Sequence, residues 1–272
     1  MYNNNHKKPL ALELGKSEFP SSYLVEDEND PDLFLRGNSL VNRMEVGITP
    51  DHISAVFKER LVCDKDDRIQ MSTEHFPNNA ICLLAINDHR GKQFIGTGFL
   101  ISPTCVITSG HCVYNKGRWV KSIVVIPGAN GNGSRPYGAR LSTRFKSVKG
   151  WTRQGQREFD YGAALLEKGE DFSHLSQFFE TEVIKSEQKI SNAGYSTEAN
   201  KKHQQWGSSG MIEKMTYHKL YYNIDTTRGN SGSPVIIDKN KAVGIHSFGN
   251  CPNFCVRINE EVKPILDRWR KA

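Results

Sequence analysis

From about residue 80 onward, short apolar runs alternate with turns rich in glycine and polar residues. The runs are AICLLAI (80–86), FIGTGFLIS (94–102), CVITSG (105–110), SIVVIPG (122–128), YGARLSTRFK (137–146) and YGAALLE (161–167). They continue with KISNAGY (189–195), GSSGMIEKMT (207–216), KLYYNID (219–225), SPVIID (233–238), AVGIHSFG (242–249) and FCVRIN (254–259). Each is too short for an ordinary helix and rich in β-branched or aromatic residues, so each reads as a strand. Many short strands at regular spacing predict an all-β barrel or sandwich. The spacing changes at the end of the chain. Val262, Ile265, Leu266 and Trp269 fall at helical intervals and predict a helix over Glu260–Ala272.

Residues 1–60 lack this pattern. Asn, Asp, Glu, Pro and Ser dominate, most of all through Ser21–Asp32, and a weakly structured segment is expected there. One short helix is expected at Thr49–Arg60, where Thr49-Pro50 forms the start and Ile53, Val56 and Phe57 share a face. Charge marks the same boundary. The first 60 residues hold seven Lys/Arg against ten Asp/Glu, a balance of −3, which leaves +9 for the rest of a chain whose total is +6. An acidic head before a basic body suits a pro-segment lying on a positive surface, and equally a solvated tail. The division expected is therefore 1–60 and 61–272.

Composition narrows the function classes. Hydrophobic residues make up 37% and charged residues 24% of the 272, enough for a sizeable core. No run approaches the length of a membrane span, and no cluster of Lys/Arg interleaved with aromatics points to nucleic acid. No secretory signal is visible in the first twenty residues. Six cysteines are too few for a disulfide scaffold in a chain this long. Cys251 and Cys255 bracket a short turn and suggest a local bridge. Zinc would need two further ligands at recognisable spacing, and none appears, so neither metal nor cofactor is expected.

Three segments carry candidate chemistry. A serine is a weak nucleophile at neutral pH. It needs an imidazole to take its proton, an acid to hold that imidazole in one tautomer, and N–H donors aimed at the developing oxyanion. Gly229-Asn230-Ser231-Gly232 places glycines on both sides of a serine, freeing the backbone for a tight turn that can aim the N–H groups of Gly229 and Ser231 at one point. Val106–Cys112 is a strand ending in His111, and Phe159–Leu166 is a strand entered directly after Asp160. Taken singly, each has an ordinary structural reading as a turn, a packed histidine or a strand cap. Together they give the order His, Asp, Ser, each at a strand edge in a β-rich chain, which is the chain order of chymotrypsin.

TSGHC, FDYGAALL and GNSGSPV resemble the triad motifs of chymotrypsin-like serine proteases, and more narrowly those of the bacterial glutamyl endopeptidases. GTGFLIS, RPYGA, WTRQGQREFDYGA and TTRGNSGSPV extend the likeness from roughly Asp66 to the C-terminal helix. The resemblance implies two six-stranded antiparallel β-barrels with the triad His111, Asp160 and Ser231 between them. It implies an endopeptidase acting on polypeptides, monomeric and secreted, that cuts after Glu or Asp. It places Thr226 and His246 on the substrate carboxylate and the backbone of Ser247–Gly249 along the substrate chain. A serine protease of other specificity, and a non-catalytic binding protein on the same scaffold, are the alternatives.

Two positions depart from the family pattern. Asn230 stands where the trypsin branch carries an aspartate, so no ion pair with a freed amino terminus is available. Gly96 stands where many relatives carry the partner of Cys112, which leaves Cys105, Cys82 or a free thiol as possibilities. The resemblance also implies a cut near Arg60 or Leu61, and a new amino terminus that helps bind the carboxylate.

Overall fold

A computed structural model of the chain describes residues 25–27, 66–131, 133–249 and 251–272. The helix expected at Thr49–Arg60 lies outside them. In chain order the strands are β1 (Val25–Asp27), β2 (Ile69–Gln70), β3 (Ile81–Asn87), β4 (Gln93–Ser102), β5 (Cys105–Thr108), β6 (Tyr114–Asn115), β7 (Arg118–Trp119), β8 (Ser122–Pro127) and β9 (Arg140–Ser142). They continue as β10 (Arg144–Val148), β11 (Gly162–Leu165), β12 (Glu180–Thr181), β13 (Lys189–Tyr195), β14 (Gln205–Met215), β15 (Lys219–Tyr222), β16 (Pro234–Ile237), β17 (Lys241–Phe248) and β18 (Asn253–Arg257). Among the described residues three α-helices accompany them, namely α1 (Gly110–Val113), α2 (Lys149–Thr152) and α3 (Val262–Trp269).

Two large sheets carry the fold. The first runs β1-β10-β11-β5-β4-β3-β8-β9. β9 at one end and β10, next to β1 at the other, are successive stretches of one run of chain with Thr143 between them, so the sheet curls round on itself. The second runs β12-β17-β16-β13-β14-β15-β18, and the pairing of β17 with β18 closes six of these strands into a ring. This is the two-barrel architecture that the family likeness implies.

The burial patterns follow from how each strand is covered. All of β3 except its last residue is buried, as expected for a strand covered on both faces. β14 alternates buried and accessible positions through much of its length and turns one face to water. The C-terminal helix buries Val262, Ile265, Leu266 and Trp269, the residues its spacing singled out. The Trp269 ring lies 5.9 Å from that of Tyr161, directly after Asp160 in sequence, so the helix packs against the strand entry that carries the candidate acid.

The cysteines differ from one expectation. Cys255 is a free, buried thiol inside the second barrel, and Cys251 is disulfide-bonded to a partner outside the described residues. There is no local Cys251–Cys255 bridge. Alternation along β18 turns Cys255 inward, while Cys251 sits exposed ahead of the strand. Cys82, Cys105 and Cys112 are also free and buried. Gly96 faces Cys112, and a Cβ at Gly96 would lie 2.8 Å from the Cys112 sulfur. The two positions are thus adjacent, and Cys112 has no disulfide partner there because the facing residue has no side chain; its thiol donates instead to the Ser231 carbonyl at 3.8 Å.

Candidate active site

His111, Asp160 and Ser231 converge between the barrels. His111 and Asp160 come from the first, on the turn after β5 and just ahead of β11, and Ser231 comes from the second, just ahead of β16. Asp160 is completely buried. Its two oxygens are divided between two donors on one residue: the backbone N–H of His111 reaches Oδ1 at 2.7 Å, and His111 Nδ1 lies 2.8 Å from Oδ2. This fork fixes the imidazole in both position and rotation, with Nδ1 facing the carboxylate and Nε2 left for other chemistry. Burial opposes charge on His111, but the Asp160 carboxylate and the neighbouring Cys112 thiol together outweigh it and hold the pKa well above the usual 6.5. The histidine side chain keeps 24% of its surface exposed. Trp151 at 6.3 Å and Phe248 at 5.7 Å flank its ring.

The serine turn is anchored from both sides. The N–H of Thr97 on β4 donates to the Ser231 carbonyl at 2.8 Å, and the Thr97 hydroxyl donates to the Gly229 carbonyl at 2.7 Å. From β17, the carbonyl of His246 accepts from the N–H of Gly232 at 2.7 Å and from the Ser109 hydroxyl at 2.8 Å. Gly232 is held at φ +90°, and a Cβ there would fall 2.1 Å from the Thr97 carbonyl oxygen, so only glycine fits. Gly229 is likewise at φ +102°. The N–H groups alternate in use: that of Asn230 bonds Thr227 and that of Gly232 bonds His246, while those of Gly229 and Ser231 have no acceptor among the described residues. Two free N–H groups on either side of one residue make a donor pair suited to an oxyanion. Among the described residues the Ser231 hydroxyl makes no hydrogen bond to His111; catalytic serine–histidine contacts are often loose until substrate binds.

Asn230 is buried and its side-chain amide turns to Asn192 Oδ1 at 3.5 Å. A neutral amide pair therefore occupies the place where the trypsin branch carries an aspartate.

The other proposed binding residues lie beside this turn. Thr226 is completely buried, and its hydroxyl has no hydrogen-bond partner. An orphaned buried hydroxyl costs on the order of 1–3 kcal/mol unless a ligand satisfies it. His246 is 2% exposed, and burial, followed by the neighbouring charge on His111, pushes its pKa down to about 3. Its ring is therefore neutral at ordinary pH, and any hydrogen bond it gives a ligand in the free protein comes without charge. Ser247 directs its hydroxyl to the carbonyls of Asp160 and Ile245 at 3.2 and 3.1 Å, so its side chain serves the frame, not a ligand. On the side of β17 facing β16, pairing stops at Ile245 opposite Pro234, and the backbone edge from Ser247 to Gly249 has no strand partner there among the described residues.

Several contributors are not singled out by the sequence. Tyr222 reaches the site by strand register, and Ser109 and Trp151, although they lie in the TSGHC and WTRQGQREFDYGA stretches, show their contacts only in the folded structure. Phe248 was within a segment already singled out, but its stacking on His111 was not legible. Among the described residues no three His, Cys, Asp or Glu side chains gather as a metal site, and no helix is long and apolar enough to cross a membrane.

Two β-barrels with a histidine, a buried aspartate and a serine drawn together between them define the chymotrypsin type of serine hydrolase. Residues 70–265 match the Trypsin family. The extracellular metalloprotease of Bacillus subtilis is 33% identical over 214 residues, covering 75% of this chain and 68% of that protein. The glutamyl endopeptidase of Bacillus licheniformis is 31% identical over 235 residues, covering 80% and 72%. A solved Glu endopeptidase superposes with a TM-score of 0.71 over 78% of this chain and 100% of its own, at 23% identity, a likeness of fold. The chain belongs to the trypsin family of serine endopeptidases. The metal in the name of the Bacillus subtilis relative has no matching donor set among the described residues, and the chemistry argued from those residues runs through none.

Proposed function

We propose that the protein hydrolyses peptide bonds on the carboxyl side of glutamate, with Ser231 as nucleophile, His111 as general base and Asp160 holding His111. The observations that carry the specificity are the orphaned hydroxyl of Thr226 and the neutral, buried His246, on segments that both bond to the serine turn. Both can donate to a carboxylate, and neither brings a negative charge against it. Ser231 Oγ attacks the scissile carbonyl while its proton passes to His111 Nε2. The N–H groups of Gly229 and Ser231 take the oxyanion, and His111, now charged against Asp160, returns the proton to the leaving amine. Water then repeats the sequence on the acyl-enzyme. The free edge at Ser247–Gly249 holds the substrate as an added strand.

Peptides with Glu before the cut should be cleaved much faster than matched peptides with Gln, because a pocket built for a charged partner leaves polar groups unpaired with the wrong side chain. His246→Ala should reduce cleavage after Glu far more than it reduces labelling of Ser231 by a small fluorophosphonate. Equal cleavage after Glu, Leu and Lys by the unsubstituted protein would leave only a generic protease.

Residues 1–60 serve, in the same reading, as a pro-segment. Two observations support this. Val25–Asp27 adds antiparallel to β10 at Lys146–Val148, directly ahead of the helix bearing Trp151. At the other end, Asp66 is clasped by Arg68 and Lys201 at 2.8 and 2.5 Å, and the N–H of Asp67 donates to Asp225 at 3.2 Å, next to Thr226. A cut after Arg60 or Leu61 would free an amino terminus within roughly 20 Å of chain from that clasp, protonated near neutral pH. With Asn230 neutral and already paired, the amine is available to the carboxylate pocket. Assays of full-length and trimmed protein, with N-terminal sequencing of the active species, test this: trimming should raise activity on Glu peptides, and full activity in a chain still carrying Met1 would make residues 1–60 an appendage. Release of the protein outside the cell fits the same reading.

A further inference from the structure

The only hydrogen bond that the ring of His246 makes among the described residues joins Nδ1 to the hydroxyl of Tyr222, at 2.7 Å. Three strands bring the partners together. Tyr222 ends β15, His246 lies on β17, and Cys255 on β18 pairs with His246 on one side and with Leu220 of β15 on the other. Tyr222 and Cys255 are completely buried and His246 nearly so. The Cys255 thiol is free and lies close to the Tyr222 hydroxyl, so His246, Tyr222 and Cys255 are grouped together away from water.

The protons in that group can be placed. Burial raises the pKa of Tyr222 well above its usual value, and burial lowers that of His246 to about 3. The phenol therefore keeps its proton, and the imidazole carries one proton on one of two nitrogens. A carboxylate at Nε2 is recognised only by the tautomer with the proton there, which makes Nδ1 an acceptor. The donor facing Nδ1 is the Tyr222 O–H.

We propose that Tyr222 is a positioning residue for substrate selection: by donating to Nδ1 it locks His246 in the Nε2–H tautomer, so that a neutral imidazole presents a fixed donor to the substrate carboxylate. This rests on the reading of glutamate specificity given above. Without Tyr222 the imidazole would divide between tautomers, and in one of them a lone pair would face the substrate carboxylate.

The test uses the full-length protein in its active form, its Tyr222→Phe and His246→Ala variants, and matched Glu and Gln peptides. Tyr222→Phe should lower the ratio of kcat/KM for Glu over Gln by about 10–100-fold, the worth of one hydrogen bond to a charged group. Fluorophosphonate labelling of Ser231 should fall by much less. A second measurement needs no change at Tyr222. The nitrogen chemical shifts of His246 in a Ser231→Ala protein, read by NMR with ¹⁵N-histidine, should show the proton on Nε2. A proton on Nδ1 overturns the proposal. So does an unchanged Glu/Gln ratio in Tyr222→Phe when His246→Ala abolishes the preference, a result that leaves glutamate specificity standing. An unsubstituted protein that cuts equally after Glu and Gln overturns the specificity reading itself and the role of Tyr222 with it.

Discussion

Ser231→Ala should lose on the order of 10⁶-fold in turnover while the fold stays intact. The serine side chain makes no contact that holds the turn together. The anchoring bonds run through backbone atoms and neighbours: the Ser231 and Gly229 carbonyls to Thr97, and the Gly232 N–H to His246. Removing one oxygen therefore deletes the nucleophile and little else. His111→Ala should cost about as much, and the double variant should be little worse than either single one, because nucleophile and base act as a unit. Some hydrolysis above the water rate should survive through the Gly229 and Ser231 N–H pair. Steady-state assays of the three variants, with circular dichroism to confirm folding, check this.

The second large effect is expected from Asp160→Asn, at about 10⁴-fold in turnover. The carboxylate accepts two hydrogen bonds from one residue, at the His111 backbone and at its ring. An asparagine can accept one of them through its carbonyl oxygen but presents N–H₂ to the other. If that group faces Nδ1, the imidazole must carry its proton on Nε2, and it can no longer take one from Ser231. The pH profile should move as well. In the unsubstituted protein the carboxylate raises the pKa of His111, so kcat/KM is lost as pH falls through a value above 6.5. In Asp160→Asn burial, which favours the neutral ring, is opposed only by Cys112, and the residual acid limb should shift to lower pH. A limb that stays in place would show that Asp160 does not set the titration of His111.

Much of this arrangement was legible in the chain because strands covered on both faces read as continuous apolar runs. Each of the twelve runs from Ala80 to Asn259 overlaps an observed strand. The run at 137–146 is divided into β9 and β10 at Thr143, the corner about which the first sheet curls, and no residue there signals a break. The short pairs β2, β6, β7 and β12 are two residues each, below the length at which periodicity exists. The hairpin of β6 and β7 turns on Lys116 and Gly117, both at positive φ, and an Asn-Lys-Gly sequence is a weak sign of such a turn. His111, Asp160 and Ser231 stood out because glycine and strand ends frame them. Tyr222 did not, since one tyrosine in KLYYNID looks like another until register places it across from His246. The charge state of His246 was equally hidden, for it depends on burial and on His111 across the barrel junction, not on neighbours in sequence. Cys251 and Cys255 show the converse failure, where closeness in sequence suggested a bridge that alternation along a strand forbids.

The most direct measurement is to digest a diverse peptide library with the purified, trimmed protein beside its Ser231→Ala variant and to sequence the new carboxyl termini by mass spectrometry. The account predicts termini dominated by glutamate, with aspartate as a minor class, and none above background from Ser231→Ala. Termini at the same rate from Ser231→Ala would contradict the assignment of the nucleophile. Abundant Ser231-dependent termini with no acidic preference would contradict the pocket of Thr226 and His246.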